Sequence, residues 1–419
     1  NCVWFRNHKM STFAHVPVAK PDAILHLNTL FAADTNPLKV SLGVGAYRDE
    51  NGKPWILPSV KKAEEIISGD LTKHNKEYPP QPGFPLFIKA AQEFLLGEGH
   101  VAIKEHHVST CQSLSGTGSL HVALCFLHQY KAGHKVYMPS VTWPNHYGIY
   151  EKVYGQEKYS EYTYLAKNGS LKIDFEAMVN DMNNAPNESI FLLHACAHNP
   201  SGIDLTKEQW NKVLEIFQAK HHIPLFDIAY QGFATGSFEE DGFAPRLFAE
   251  KGVECVMAQS FAKNFGLYGE RIGACHVIHK GDEQLGKNIQ GAMCFIVRQT
   301  WSMSPVHGAY IVQTIGNNAE LKKQFLEDVK TMSGRIIKMR EALYNELIRI
   351  GTPGDWKHII TCIGMFTFTG LTPAQVEHMK VKHSVYLVTQ GGRMSMCGLT
   401  EKNVAYVAAA MKETVENVK

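Results

Sequence analysis

Three short apolar runs, Ile190–Cys196, Ile223–Ala229 and Glu254–Ser260, recur about thirty residues apart in the middle of the chain. They do not alternate between apolar and polar positions, which suits strands covered on both faces of a parallel sheet. Between the first two, Thr206-Lys-Glu-Gln209 is a capping-box pattern, and Trp210, Val213, Leu214 and Phe217 follow at helical spacing. Strand, helix and strand of this size predict a right-handed βαβ crossover. Arg271–Ile278 and Lys135–Pro139 read as further strands. Beyond residue 316 the period changes. Phe325, Val329, Met332, Ile336, Met339, Leu343, Leu347 and Ile350 step by three or four, forming one face of a long amphipathic helix that ends before Gly351. Met365–Thr369 and Val385–Val388 are candidate strands of a smaller unit. The predicted class is α/β, with a mostly parallel sheet between helices in a large domain (57–331) and a smaller α+β domain (332–419). Residues 1–56 carry little αβ pattern and are expected to pack with that smaller domain.

Composition narrows the function more than the fold. Lys plus Arg exceed Asp plus Glu by 42 − 40 = 2, so no bulk attraction to nucleic acid or an anionic membrane is expected. No stretch reaches the ~20 apolar residues that span a bilayer. The nine cysteines are scattered and form no CxxC pair, which favours a reducing compartment, and no metal is expected. Residues 1–9 lack the length and the Ser- and Arg-rich character of a presequence. Met10 therefore reads as the natural start and the cytosol as the compartment, with a mitochondrial location left open.

Ligands of open α/β sheets sit beyond the carboxyl ends of the strands, so the residues there carry the chemistry. Ser115-Gly116-Thr117-Gly118 opens an apolar helix, and such a start holds a phosphate on free N–H groups or serves as a plain capping turn. His198-Asn199-Pro200-Ser201-Gly202 is a tight loop whose Asn199 can donate to a ligand oxygen. Asp227 sits inside an apolar strand, where a carboxylate needs a positive partner: a protonated ring nitrogen, an arginine or a backbone donor. Lys263 follows the run ending at Ser260. It is either a surface lysine or, in a closed site, a nucleophile toward carbonyls, and Arg271 lies eight residues on. Together these are the parts pyridoxal phosphate (PLP) requires: a phosphate anchor, an aldehyde partner and a pyridinium partner.

Seven segments then resemble one family in order. They are Gly43-Val-Gly-Ala-Tyr-Arg48, Ser113-Leu-Ser-Gly-Thr-Gly118, Thr142-Trp-Pro-Asn-His146, His194-Ala-Cys-Ala-His-Asn-Pro-Ser-Gly202, Asp227-Ile-Ala-Tyr-Gln-Gly-Phe233, Gln259-Ser-Phe-Ala-Lys-Asn-Phe-Gly-Leu-Tyr268 and Gly392-Arg-Met-Ser-Met-Cys-Gly-Leu399. The set is similar to the aspartate aminotransferases, from about Val16 to the C-terminus. The resemblance implies a fold-type-I homodimer with shared active sites. It implies Lys263 as the Schiff-base lysine and Asp227 on the ring nitrogen. Tyr230 and Asn199 fall on the phenolic oxygen and Trp143 against the ring. Ser115, Gly116, Thr117, Ser260 and Arg271 fall on the phosphate, with Tyr78 reaching the phosphate of the neighbouring subunit.

By the same resemblance, Arg393 grips the substrate α-carboxylate, Arg298 crosses the interface to the side-chain carboxylate, and Gly45 lies against the substrate. The planar guanidinium fork suits both tasks. A charged contact worth roughly 1.5–3 kcal/mol separates aspartate and glutamate from neutral substrates by about one to two powers of ten. Lys263 is expected to move the α-proton, with ping-pong kinetics, while Gly43–Tyr47 closes over the substrate. Three segments depart from the family pattern: Ala262 where Ser is frequent, Met303-Ser304-Pro305 where Asn-Pro-Pro is usual, and the proline-rich run after Tyr78. Two rival readings stand beside this one. An aromatic aminotransferase would keep the catalytic residues and change the pocket, and a non-catalytic binding paralogue would carry no cofactor colour. A dehydrogenase is disfavoured because no GxGxxG follows a strand.

Overall fold

A computed structural model describes residues 11–18, 23–167 and 169–419. The expectations for residues 1–9 and Met10 fall outside the described residues. Strand β1 (Val40–Ser41) precedes a seven-stranded sheet made of β2 (Val108–Leu114), β3 (Val136–Pro139), β4 (Ser160–Tyr162), β5 (Ile190–His194), β6 (Ile223–Ile228), β7 (Cys255–Ser260) and β8 (Ile272–Ile278). Its order is β2-β8-β7-β6-β5-β3-β4, parallel throughout except for β8, which runs against both of its neighbours.

The apolar runs are continuous because both sheet faces are covered. Ile190, Leu192, Leu225, Val256 and Ala258 pack on one face beneath the helices Ser115–Tyr130 and Glu283–Thr300. Phe191, Leu193, Phe226, Ile228 and Met257 pack on the other, against Trp210, Val213 and Phe217 of the helix Lys207–Lys220. Thr206 and Gln209 form the capping box their spacing predicts. Each large apolar side chain buried this way contributes about 1.5–3 kcal/mol.

Strand β2 was not predicted, and its chemistry explains why. Ser109, Thr110, Gln112 and Ser113 are buried polar residues, so the run lacks the apolar signature of the strands around it. Three of them find partners that only the fold supplies. Ser109 Oγ donates to Gly286 O (2.7 Å), Thr110 Oγ1 meets His276 Nδ1 (2.9 Å), and Gln112 Nε2 donates to Pro305 O (2.7 Å).

The long helix spans Ala319–Arg349 and buries the predicted stripe from Phe325 to Leu347. Beyond it lie β9 (Phe366–Phe368), β10 (Val385–Tyr386) and β11 (Arg393–Ser395). β1 pairs in parallel with β10, and β11 pairs antiparallel with β9. Tyr386 Oη donates to Asp34 Oδ2 (2.7 Å), and Ser395 N donates to Leu42 O (2.6 Å), so the N-terminal segment is stitched to the C-terminal one.

Candidate active site

The carboxyl ends of β2, β5, β6 and β7 converge on a cavity of about 250 Å³. Its lining includes Gly45, Ser115, Gly116, Thr117, Trp143, Asn199, Asp227, Tyr230, Ser260, Lys263, Arg271 and Arg393. Twelve of the fourteen site residues expected from the sequence thus meet in one place. Tyr78 and Arg298 do not line it, and both are exposed.

One end of the cavity is built for an anion. The helix Ser115–Tyr130 begins at the wall with no side-chain cap, leaving its first N–H groups to the cavity. Ser115 Oγ lies 2.8 Å from Ser260 Oγ, and Arg271 adds a guanidinium, steadied by its Nη1 donating to Tyr268 O (3.0 Å). Close approach of this turn to β8 requires Gly273. A Cβ there would lie 2.5 Å from Gln259 O and 2.8 Å from the Ser115 backbone. Ala262, where a hydroxyl was expected, donates its N–H to Ser260 Oγ (3.2 Å).

Another part of the lining is built for a cation. Asp227 pairs in register with His194 of β5 and Ala258 of β7. Burial pushes its pKa up, but the hydrogen bond from His146 Nε2 (3.0 Å) and the charge of His146 outweigh that and hold it below the usual carboxylate value. Thr142 Oγ1 lies 2.8 Å from His146 Nδ1 and 2.7 Å from His194 Nε2, so the support extends two side chains outward. Burial lowers His194 to about 3, which keeps it neutral. His146 and His194 fall inside the family-like segments of the sequence without an expected role there. Their signal was a carboxylate in an apolar strand, which demands a buried partner.

Lys263 lines the same cavity, its Nζ donating to Gly45 O at 2.8 Å and lying 5.0 Å from the centre of the Tyr268 ring. Burial, then the neighbouring charges of Arg271 and Arg393, outweigh the raising effect of Cys397 and bring its pKa down to about 8. Gly45 leaves room for Phe366, since a Cβ would sit 2.9 Å from Phe366 Cζ and force that ring to shift. Burial raises the Tyr230 hydroxyl well above its ordinary value, so it remains a neutral donor.

Arg393 comes from β11, beside Phe368 of β9. It is buried, with its guanidinium 4.3 Å from the centre of the Phe366 ring. Nη2 donates to Gly43 O (2.8 Å) and Nη1 to Asn199 Oδ1 (3.3 Å), which joins the small-unit strand to both loops of the cavity.

A buried amine of lowered pKa, an anion cradle and a stabilised carboxylate in one cavity fit a phosphorylated, ring-protonated aldehyde. The family model for class I and II aminotransferases matches residues 37–411. The chain belongs to that family. Among class I and II aminotransferases, it is 43% identical to the cytoplasmic aspartate aminotransferase of Caenorhabditis elegans, over 98% of this chain and 99% of that one. Its fold superposes on the cytoplasmic aspartate aminotransferase of Giardia lamblia with a TM-score of 0.96 and 56% identity, covering 98% of this chain and 99% of that one. An aromatic-amino-acid aminotransferase of Burkholderia pseudomallei, covalently bound to pyridoxal phosphate, matches at 34% identity and a TM-score of 0.91, covering 97% and 100%. As in other aminotransferases of these classes, the cofactor is PLP.

Proposed function

We infer that this chain is an aspartate aminotransferase that exchanges an amino group between aspartate or glutamate and the corresponding keto acids. The observation that carries this is the convergence of Lys263, Asp227 and Arg393 on one cavity. The greater likeness to aspartate than to aromatic aminotransferases supports the substrate class.

The cavity residues fit the cofactor by charge: Arg271 and the helix start suit its phosphate, Lys263 its aldehyde and Asp227 its ring nitrogen. Bound PLP supplies an electrophilic carbonyl and an electron-withdrawing ring. Asp227, kept ionised by His146, holds the proton on the ring nitrogen. Lys263, with an accessible neutral form, takes the proton from the substrate α-carbon and returns it on the other side of the transfer. Tyr230 and Asn199 donate to the phenolic oxygen. Ser115, Gly116, Thr117, Ser260 and Arg271 hold the phosphate, and Trp143 covers the ring. Arg393 orients the α-carboxylate, with Gly45 beside it. Both half-reactions use one cavity, so the first product leaves before the second substrate enters.

Tyr78 and Arg298 belong to the cavity of a second copy in this reading. Gln81 Nε2 donates to Cys294 O (3.3 Å), which ties the Tyr78 segment to the helix bearing Arg298, one turn further on. Tyr78 is 77% exposed and Phe295 57%, so this surface presents large rings that a partner would cover. The chain then acts as a homodimer with shared sites, its large domain over residues 57–331 and its small domain over 332–419 with the N-terminal 1–56. The cytoplasmic relatives favour the cytosol. No helix among the described residues is long and apolar enough to cross a membrane.

The deciding measurement is the visible absorption spectrum of the purified protein before and after aspartate. A cofactor band that moves to shorter wavelength on adding aspartate is the expected result. A band unmoved by aspartate but moved by phenylalanine would overturn the substrate assignment. No band after supplying PLP would overturn the activity.

A further inference from the structure

The helix Pro373–His383 and the C-terminal helix Val404–Asn417 lie against each other on the small unit, and none of their residues lines the cavity. His378 Nε2 and His383 Nε2 each lie 2.8 Å from the same oxygen, Glu413 Oε2. The other oxygen, Oε1, is taken by Lys382 Nζ and by Asn417 Nδ2 (3.1 Å). One carboxylate oxygen is thereby reserved for two imidazoles, whose ring centres are 5.8 Å apart. The three ligand atoms all fall within 4.8 Å of one another.

The backbones carrying these groups are fixed independently. Tyr406 Oη donates to His383 O (2.7 Å), and Gln375 Nε2 donates to Val418 O (2.9 Å), each bond joining one helix to the other. Thr372 and Gln375 form a capping box at the start of the first helix, and Ser384 closes its end in the left-handed conformation. The side chains are 25%, 16% and 28% exposed, so an ion can reach them from solvent.

We propose that His378, His383 and Glu413 form a site for one divalent transition-metal ion of the zinc type, with water as the fourth ligand. Two imidazoles and a carboxylate are a known ligand set for tetrahedral zinc with an open position. Bonds of about 2.0–2.1 Å to such an ion separate the ligand atoms by roughly 3.3 Å, so the present 2.8 Å contacts open by about half an ångström on binding. The ion replaces the two N–H hydrogen bonds, and each imidazole then keeps its proton on Nδ1. Lys382 opposes the ion through its charge on the shared carboxylate. The bound ion cross-links the two helices. The sequence alone predicts no metal, because His378 and Glu413 are 35 residues apart.

The test uses the holoenzyme cleared of metal by a chelator. Zinc chloride is titrated by calorimetry, and cobalt(II) by the visible absorption of a tetrahedral complex. One ion per chain is expected, with affinity at least about tenfold weaker in His378→Gln and in His383→Gln. Lys382→Ala should bind several-fold more tightly, a gain that scattered surface histidines would not give. Absence of saturable binding, or binding unchanged in the double variant H378Q/H383Q, would overturn the site. If the histidine variants fold poorly, unchanged or weaker affinity in Lys382→Ala overturns it on its own.

Discussion

Two arginines given matching tasks by the sequence end in opposite surroundings. Arg393 is buried, held by Gly43 and Asn199 and stacked on Phe366, with its direction fixed before any substrate arrives. Arg298 is exposed near the end of the helix Glu283–Thr300, its Nη1 donating to Ser302 Oγ of its own chain. The unusual segment after it is well seated, since Ser304 Oγ accepts from Trp301 Nε1 (3.1 Å) and donates to Gln112 O (3.2 Å). Arg298 is therefore presented outward from an ordered base. The difference teaches that one chain by itself gathers Lys263, Asp227 and Arg393 in one cavity, while the arginine proposed to read the distal carboxylate faces away from it. In the proposed dimer each cavity is finished by its neighbour.

The largest effect is expected at Lys263. Lys263→Ala should lower turnover by about 10,000-fold or more, because proton transfer alone is worth about 100- to 10,000-fold and the covalent role is lost with it. Retained phosphate contacts should still let the variant bind PLP. Steady-state rates near the wild-type value would remove Lys263 from the mechanism.

Arg393→Ala comes next. Stripping a buried charged partner costs about 2–5 kcal/mol, or roughly 30- to 4,000-fold in kcat/KM. The loss should be similar for aspartate and alanine, since both carry the α-carboxylate. A loss confined to aspartate would exchange the roles of the two arginines.

Arg298→Ala should cost aspartate about ten- to a hundredfold in kcat/KM and leave alanine nearly unchanged. The dimer makes this sharper. Co-refolding Lys263→Ala chains with Arg298→Ala chains should restore about a quarter of the native sites, because half of randomly paired dimers carry one intact cavity. No restoration would place both residues in the same chain's site.

A pH series separates Lys263 from an ordinary lysine. Its pKa is lowered to about 8, so the neutral amine is the minority form below that value and the majority above it. The rate at which cofactor-free protein takes up PLP, followed by absorbance, should rise about tenfold per pH unit up to about 8 and then level. A rate still climbing well past pH 9 would mean that the amine is not desolvated. The smallest effect belongs to Tyr78→Phe, which should weaken PLP retention by about three- to tenfold in a dialysis assay, as one exposed-chain hydrogen bond would. No change would remove Tyr78 from the phosphate site.

The sequence by itself determined the elements whose physics is local. The unalternating runs of β5, β6 and β7 declare strands covered on both faces, and the stripe from Phe325 to Leu347 declares its helix, because period and propensity act over a few residues. The cavity residues were legible as a set more than singly: Asp227 in an apolar strand asks for a partner, Lys263 alone reads equally as a surface lysine, and the motif resemblance joined them. Tertiary structure alone decided the rest. Strand β2 exists because distant groups satisfy its buried hydroxyls and amide. Asp227 stays ionised because His146, 81 residues away, donates to it. His378 and His383 meet Glu413 only because two helices pack. Each of these depends on which remote partner arrives, and that is settled by packing the whole chain and by no pattern within one segment of it.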